Sequence, residues 1–207
     1  MISLDTLAHN GTMILFDTSG LLGYLPDGKK LPVPQKEKSL MNAIFLKQMM
    51  HFLPEAENHI YITDSVEREL AIKMSEKQRK AKSIGEREEA ANIRRLLQIF
   101  FENDRVMNGE YCEEAFSRLS EKYSGMRRVY DLSQTDFDIL MRANAIGYTK
   151  EQITLVTNDL RGIAKAGGVL MNCEPYLQNY VYYLKRNGPF SFDVLNGFSS
   201  KIQATAQ

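Results

Sequence analysis

The sequence contains no tryptophan, only two cysteines and only three histidines among its 207 residues. Cys112 and Cys173 have neither a metal-binding spacing nor the pattern of a disulfide framework, so we expect two free thiols. His9, His51 and His59 all stand away from the acidic motifs described below, which argues against a zinc hydrolase.

Net charge and long apolar runs are also missing. Lys+Arg and Asp+Glu both number 26, so the formal net charge at pH 7 is zero, and contact with a nucleic acid would need a local basic patch. No apolar run approaches the roughly 18 to 20 residues that span a bilayer. The first 16 residues lack the basic and apolar regions of a signal peptide. We therefore expect a cytoplasmic protein that does not contact membranes.

What is present is the composition of a folded domain, with 43% hydrophobic and 25% charged residues. Short apolar runs predict buried strands at residues 12–17, 59–64, 152–159 and 167–172. These runs are continuous rather than alternating, which is typical of parallel strands covered on both faces.

Amphipathic patterns between the strands predict helices. They cover residues 39–53, 65–74, 113–123 and 133–147, and a long charged segment at 73–102. The last of the four ends at Gly147, a typical helix stop. Residues 25–36 are rich in Pro, Gly and Lys and predict an irregular loop. Strands that alternate with helices predict an α/β fold.

Carboxylates follow the predicted strands. Asp17 ends the first strand, Glu67 and Glu69 lie on the helix after the second, and Asp159 ends the third. A further helix carries Asp136. Ligands of parallel sheets bind at the carboxyl ends of strands, so these side chains should converge there.

Each of these acids also has a purely structural interpretation. Asp17 could accept backbone N–H groups in a turn. Asp64 with Glu67, and Ser133 with Asp136, have the spacing of a capping box. Asp159, or Asn158 before it, could cap the following helix. However, several carboxylates in one cleft repel one another, and a hard cation such as Mg²⁺ or Mn²⁺ would neutralise them.

The segments "ILFDTSGLL", "YITDSVEREL", "LSQTDFDIL" and "LVTNDLRG" occur in the order of the four acidic motifs of the PIN domain, which they resemble. That family consists of metal-dependent ribonucleases built as a three-layer α/β/α sandwich around a parallel sheet. The resemblance spans residues 13–172. It selects Glu69 rather than Glu67, because the second motif ends in Glu-Leu.

The resemblance implies a catalytic and metal-binding set. Its members are Asp17, Glu69, Asp136 and Asp159, supported by Thr18, Ser19, Thr157 and Asn158. One or two Mg²⁺ or Mn²⁺ ions would bind Asp17 and Asp136 directly. Glu69 would bind metal or orient a metal-bound water, and Asp159 would act through water. Asp138 lies on the wrong side of its helix and serves as a control.

The resemblance also implies a layout and a substrate. We expect a nuclease domain at 1–173, with a charged helical insertion at about 75–130, and a helical, Tyr-rich extension at 174–207. The implied substrate is single-stranded RNA. Candidates for binding its backbone are the basic side chains of Lys73, Lys77, Arg79, Lys80, Lys82, Arg127 and Arg128. A solvated helix face is the alternative for these charges.

Other functions remain to be weighed. A PIN-like scaffold that binds RNA or the ribosome without cleaving is the main alternative to a ribonuclease of RNA processing, RNA decay or a toxin system. No G-x-G-x-x-G and no P-loop lysine occur, so we expect no nucleotide cofactor. A phosphatase with Asp17 as nucleophile would need an acid where Ser19 stands. We expect the tyrosines of the extension to pack on the domain or on a second copy, which would make a homodimer, and stacking on bases is the alternative.

Overall fold

The computed structural model describes residues 2–3, 12–22, 35–55, 59–159, 161–185 and 199–200. The strands are β1 (Ile2–Ser3), β2 (Met13–Phe16), β3 (Ile60–Thr63), β4 (Val106–Met107), β5 (Ile153–Thr157), β6 (Val181–Lys185) and β7 (Ser199–Ser200). The α-helices are α1 (Thr18–Leu22), α2 (Gln35–Glu55), α3 (Asp64–Lys80), α4 (Ile84–Glu102), α5 (Glu113–Lys122), α6 (Met126–Val129), α7 (Gln134–Tyr148) and α8 (Ile163–Cys173). A 3₁₀ helix covers Pro175–Asn179.

Five of the strands form one parallel sheet in the order β4-β3-β2-β5-β6, so the predicted α/β fold is confirmed. The chain builds outward from β2 to β3 and β4, and then returns to place β5 and β6 on the other side. The topological switch point therefore lies between β2 and β5, where ligands of such sheets bind. β1 and β7 form a separate antiparallel pair.

The central strands form because their side chains are apolar on both faces. Ile14, Leu15 and Phe16 of β2 are all fully buried, and every residue of β5 is buried. Consecutive side chains of a strand point to opposite faces, so both faces of these strands are covered. The predicted strands at 12–17, 59–64 and 152–159 are confirmed as β2, β3 and β5. None of the described helices is both long enough and apolar enough to cross a bilayer.

The predicted charged segment at 73–102 consists of two helices instead of one. Its first residues belong to α3, and residues 81–83 separate this helix from α4. Ser83 and Glu86 form a reciprocal capping box that begins α4. Helix N-termini leave backbone N–H groups without partners, and a capping box satisfies them. The separation brings α4 back against both α2 and α3.

The predicted strand at 167–172 is wrong, because these residues lie in α8. The glycine that begins this segment, Gly167, meets a packing requirement. A Cβ atom on Gly167 would lie 2.2 Å from Cζ of Tyr183, so the helix passes directly over this ring. Tyr183 is 3% exposed, and its hydroxyl accepts a hydrogen bond from Asn144 Nδ2 at 3.1 Å.

Two segments expected outside the core belong to the central sheet. The C-terminal extension is not helical at Val181–Lys185, which forms β6 beside β5. The charged insertion contains β4, which pairs with β3. Gly147 does not end its helix, which continues to Tyr148, and a Cβ at this position would lie 2.4 Å from Val181 Cγ2. Of the predicted loop at 25–36, residues 25–34 lie outside the described residues, and Gln35 begins α2.

We predict that Gly167→Ala lowers the free energy of unfolding by about 1 to 3 kcal/mol, because the new methyl group overpacks the ring of Tyr183. Urea denaturation would measure the change. Gly125→Ala is the matched control, since a Cβ there meets nothing within 4 Å and the backbone is already right-handed helical. Equal stability of Gly167→Ala and wild type would contradict the packing described here.

Candidate functional site

Asp17 lies at the switch point of the sheet and is only 1% exposed. Its backbone N–H donates to the carbonyl of Val156 in β5 at 3.0 Å. Its carboxylate oxygen Oδ2 accepts hydrogen bonds from Thr157 Oγ1 at 2.9 Å, from the Ser19 N–H at 3.2 Å and from Ser19 Oγ. Within the described part of the chain, no group donates to the other oxygen, Oδ1.

The same residues tie the ends of the two strands together. The backbone N–H of Asn158 donates to Ser19 Oγ at 3.0 Å, and its side-chain Nδ2 donates to the Ser19 carbonyl at 3.0 Å. Thr157 Oγ1 also accepts the N–H of Asp159 at 2.9 Å. Three of the four supporting residues expected from the sequence, Ser19, Thr157 and Asn158, therefore form one network around the carboxylate of Asp17, while the fourth, Thr18, binds Glu69.

A cavity of about 480 Å³ opens beside this network. Three of the four acids expected in the site, Asp17, Glu69 and Asp136, line the cavity. Its other lining residues are Thr18, Ser19, Leu22, Asn42, Lys73, Glu76, Lys77, Lys80 and Glu86. The structure thus places acids from three different elements around one space.

Glu69 faces the cavity from α3 and has a partner on each carboxylate oxygen. Oε2 accepts a hydrogen bond from Thr18 Oγ1 at 3.0 Å, and Oε1 pairs with Lys73 Nζ at 3.0 Å. Glu67 is not among the residues that line this cavity. Thr18, the residue that follows Asp17, therefore forms a hydrogen bond to the second acidic motif.

Asp136 both caps its helix and lines the cavity. Its Oδ2 accepts the Ser133 N–H at 3.0 Å, and its own N–H donates to Ser133 Oγ at 3.1 Å, which completes a capping box at the start of α7. The same side chain lines the cavity. Capping and membership of the site are compatible because the cap engages only Oδ2.

Asp159 is held differently from the other three acids. Its Oδ1 accepts the N–H groups of Arg161 at 3.2 Å and Gly162 at 2.9 Å, and its Oδ2 accepts that of Ile163 at 3.1 Å. These are the bonds of a residue that caps α8. Asp159 does not line the cavity, so the structure does not bring this fourth carboxylate together with Asp17.

The expected capping box of Asp64 and Glu67 is wrong, because Thr63 is the N-cap of α3 and accepts the Val66 N–H at 3.3 Å. Asp64 instead pairs with Arg68 at 2.7 Å.

Asp138 lines a second, smaller cavity of about 240 Å³, together with Asp64 and Arg142. It accepts a hydrogen bond from Gln134 Nε2 at 2.7 Å. The structure therefore separates this carboxylate from the cavity of Asp17, and it remains a suitable control residue.

Burial raises the pKa of the Asp17 carboxyl from 3.8 to about 6. Removal from water is the largest cause, and the hydrogen bonds from Ser19 and Thr157 oppose it. The negative charges of Asp136 and Glu69 raise the pKa further. Asp17 therefore occupies a place where a negative charge is costly and where a cation would relieve that cost.

The basic candidates divide into three groups. Lys73, Lys77 and Lys80 line the cavity of Asp17. Arg79 and Lys82 do not. Arg127 and Arg128 line a separate open groove of about 710 Å³. Arg127 Nη1 also donates to Gln134 Oε1 at 2.7 Å, which fixes this guanidinium beside the start of α7.

Sequence reasoning missed a buried polar cluster beside the cavity, formed by Glu89, Asn42 and Lys77. Glu89 of α4 is 0% exposed and pairs with Lys77 Nζ at 2.7 Å. Asn42 of α2 is 2% exposed, and its Nδ2 donates to Glu89 Oε1 at 3.1 Å and to the carbonyl of Leu22. The signal in the sequence was a polar residue on an otherwise apolar helix face, namely Asn42, which directly precedes Ala43.

In the ranges that the structure describes, no three Asp, Glu, His or Cys side chains are already placed to share one metal ion. Mg²⁺ is commonly held by only one or two carboxylates, with water filling its other positions. The residues that could hold it here are Asp17, through the oxygen to which no described residue donates, and Asp136, which lines the same cavity. This donor set of oxygens suits Mg²⁺ or Mn²⁺.

Comparisons with protein-family models, with curated proteins and with solved structures gave no match to this chain.

We predict that Asp17→Asn stabilises the protein at pH 7.5. The folded state keeps a proton on Asp17 up to a pH of about 6, whereas the unfolded chain releases it near 3.8. The free energy of unfolding of the wild type should therefore fall as the pH rises through this window, by up to about 3 kcal/mol. An asparagine side chain carries no charge, so the variant should not lose this free energy of unfolding as the pH rises.

Urea denaturation at pH 7.5, 5.5 and 4.5 would measure this difference, which should shrink as the pH is lowered. Asp131→Asn is the control, because Asp131 is exposed in a turn, and we expect little change. A variant Asp17→Asn that is less stable than wild type at pH 7.5 would contradict the assignment of a costly buried charge.

Proposed function

We propose that this protein is a PIN-type, metal-dependent endoribonuclease that hydrolyses phosphodiester bonds of single-stranded RNA. The observation that carries the proposal is the burial and hydrogen bonding of the Asp17 carboxylate. This buried carboxylate has one oxygen saturated by three donors and the other oxygen without a donor in the described chain. It stands at the switch point of a parallel sheet, beside Glu69 and Asp136.

The proposal includes the three-layer α/β/α arrangement of the PIN fold. It is supported by the burial of consecutive side chains in β2 and β5, which requires a cover on both faces of the sheet. The order β4-β3-β2-β5-β6 with all strands parallel is compatible with this arrangement.

Asp17 and Asp136 would hold a Mg²⁺ or Mn²⁺ ion, which supplies an activated water and neutralises charge on the phosphate. The chain's own residues prepare this site. Ser19 and Thr157 orient the carboxylate of Asp17 by holding Oδ2, so that Oδ1 points away from both donors. Glu69, fixed between Thr18 and Lys73, would orient a water that lies on the metal.

Asp159 has a supporting role in this proposal. Its carboxylate holds the first turn of α8, and its N–H donates to Thr157 Oγ1, the group that in turn donates to Asp17. It would thus act on the ligand set through Thr157 and not as a direct ligand.

A second candidate is a PIN-like scaffold that binds RNA without cleaving it. The observation in its favour is that the described residues hold no ready group of three metal ligands. The two candidates differ in one property, which is metal-dependent cleavage.

We predict that the wild-type protein cleaves a labelled single-stranded RNA in Mn²⁺ or Mg²⁺ and not in EDTA. Asp17→Asn should lower the rate by roughly a hundredfold or more, because metal-assisted charge stabilisation supplies several kcal/mol. Asp138→Asn should cleave like wild type. Gel electrophoresis of the products would measure all three.

The remaining outcomes separate the candidates. RNA binding without cleavage under any metal would favour the scaffold. Cleavage that is equal in wild type and Asp17→Asn would show that Asp17 is not the centre of the site. Neither binding nor cleavage of RNA would remove both candidates.

A further inference from the structure

One face of α3 runs along the whole cavity. The side chains on this face that line the cavity are those of Glu69, Lys73, Glu76, Lys77 and Lys80. Glu69 lies at the end near Asp17, and Lys80 is the last residue of the helix. Eleven residues of helix at 1.5 Å each separate these two, which is a distance of about 16 Å along the axis.

Two of the three lysines in this row are neutralised. Lys73 pairs with Glu69 at 3.0 Å. Lys77 pairs with Glu89 at 2.7 Å, and the carboxylate of Glu89 is completely buried. Removing the partner of a buried charge is costly, so the ammonium of Lys77 is committed to this pair and not available to a ligand.

Among the residues that the structure describes, Lys80 has no such partner. No carboxylate of the described residues lies within ion-pair distance of its ammonium, and its side chain is exposed. It is therefore the lysine of this cavity whose charge is available for an anion. The available charge stands at the opposite end of the cavity from Asp17.

Two further carboxylates lie at this end of the cavity. Glu86 directs its Oε2 at the backbone N–H groups of Lys82 at 2.8 Å and Ser83 at 3.0 Å, where its charge stabilises the start of α4. Glu76 is exposed, so water and salt screen its charge. Neither carboxylate forms an ion pair with Lys80.

We propose that Lys80 binds a backbone phosphate several nucleotides away from the bond that is cleaved, with the RNA strand lying along α3. This inference rests on the proposed function, which places the cleaved bond at the Asp17 end. At a rise of about 3.4 Å per stacked nucleotide, 16 Å corresponds to roughly five nucleotides, and to fewer in an extended strand. The substrate is therefore a strand, and a 4-mer cannot reach both ends, because its three phosphodiester groups span only two nucleotide steps.

The test compares a 4-nucleotide and a 12-nucleotide single-stranded RNA in Mn²⁺. For wild type we expect a higher kcat/KM on the longer substrate. Lys80→Gln should raise KM for the 12-mer by roughly three- to tenfold with kcat unchanged, and it should leave the 4-mer unaffected. The dependence of log KM on log salt should fall by about 0.7, the amount for one phosphate contact on a single strand.

Lys47→Gln is the matched control, because Lys47 is an exposed lysine of α2 that does not line the cavity. It should behave like wild type on both substrates. A purely structural role of Lys80 would change both substrates equally, and that result would overturn the inference. So would a kcat/KM that does not depend on length, or a Lys80→Gln variant with wild-type KM and salt dependence on the 12-mer.

These results are distinguishable from failure of the proposed function. If wild type neither binds nor cleaves RNA, the function itself is wrong. If wild type cleaves the 12-mer and Lys80→Gln matches it, only the position of the distal phosphate is wrong. If the 4-mer is not cleaved at all, the inference is tested by comparing Lys80→Gln with wild type in KM and in its salt dependence on the 12-mer.

Discussion

The carboxylate of Asp17 joins the ends of two neighbouring parallel strands. Asp17 follows β2, and its Oδ2 accepts a hydrogen bond from Thr157 at the end of β5. Ser19 donates to the same oxygen and is bound in turn by Asn158. The remaining features of the site depend on this contact, because it fixes the orientation of the Asp17 carboxylate beside the cavity.

The site keeps negative charges together at a cost to stability. Asp17 is removed from water, and Glu69 and Asp136 add repulsion, so its pKa rises to about 6. Protein folds retain such clusters where function requires them, and perturbed carboxylates are enriched at functional sites. A bound cation would remove both the desolvation cost and the repulsion. Stability and function therefore make opposite demands on the same side chain.

The basic side chains of α3 differ in whether an ion pair already neutralises their charge. The sequence presents a run of lysines and arginines on α3 that resembles one binding surface. In the structure Lys73 is paired with Glu69 and Lys77 with Glu89, while Lys80 stands alone among the described residues. The charge available to a ligand is thus concentrated at one end of the cavity.

Part of this arrangement could be predicted from the sequence. Continuous apolar runs located β2, β3 and β5, and acids placed after such strands must meet at one edge of a parallel sheet. β6 was missed because its two adjacent tyrosines, Tyr182 and Tyr183, belong to a Tyr-rich stretch that resembled a peripheral stripe. The segment at 167–172 was predicted as a strand because the packing of Gly167 against the ring of Tyr183, which is distant in sequence, is not encoded in the local pattern.

The details of the site were less predictable, for a physical reason. The direction of the Asp159 carboxylate depends on the turn that follows it, whose N–H groups it accepts. The pairing of Lys77 with Glu89 depends on how α4 folds back on α3, and residue spacing does not encode that contact. The motifs thus predicted four converging acids, of which Asp17, Glu69 and Asp136 line the cavity, whereas hydrogen bonding decided which carboxylate oxygens lack a donor among the described residues.

The most direct test of the central claim is a calorimetric titration of the protein with Mn²⁺ at pH 7.5. The account predicts binding that Asp17→Asn weakens at least roughly tenfold, and that weakens in wild type as the pH falls through about 6, since a proton then competes for Asp17. Asp138→Asn should bind like wild type. Mn²⁺ binding that is unchanged in Asp17→Asn, or absent from wild type, would contradict a metal site centred on Asp17.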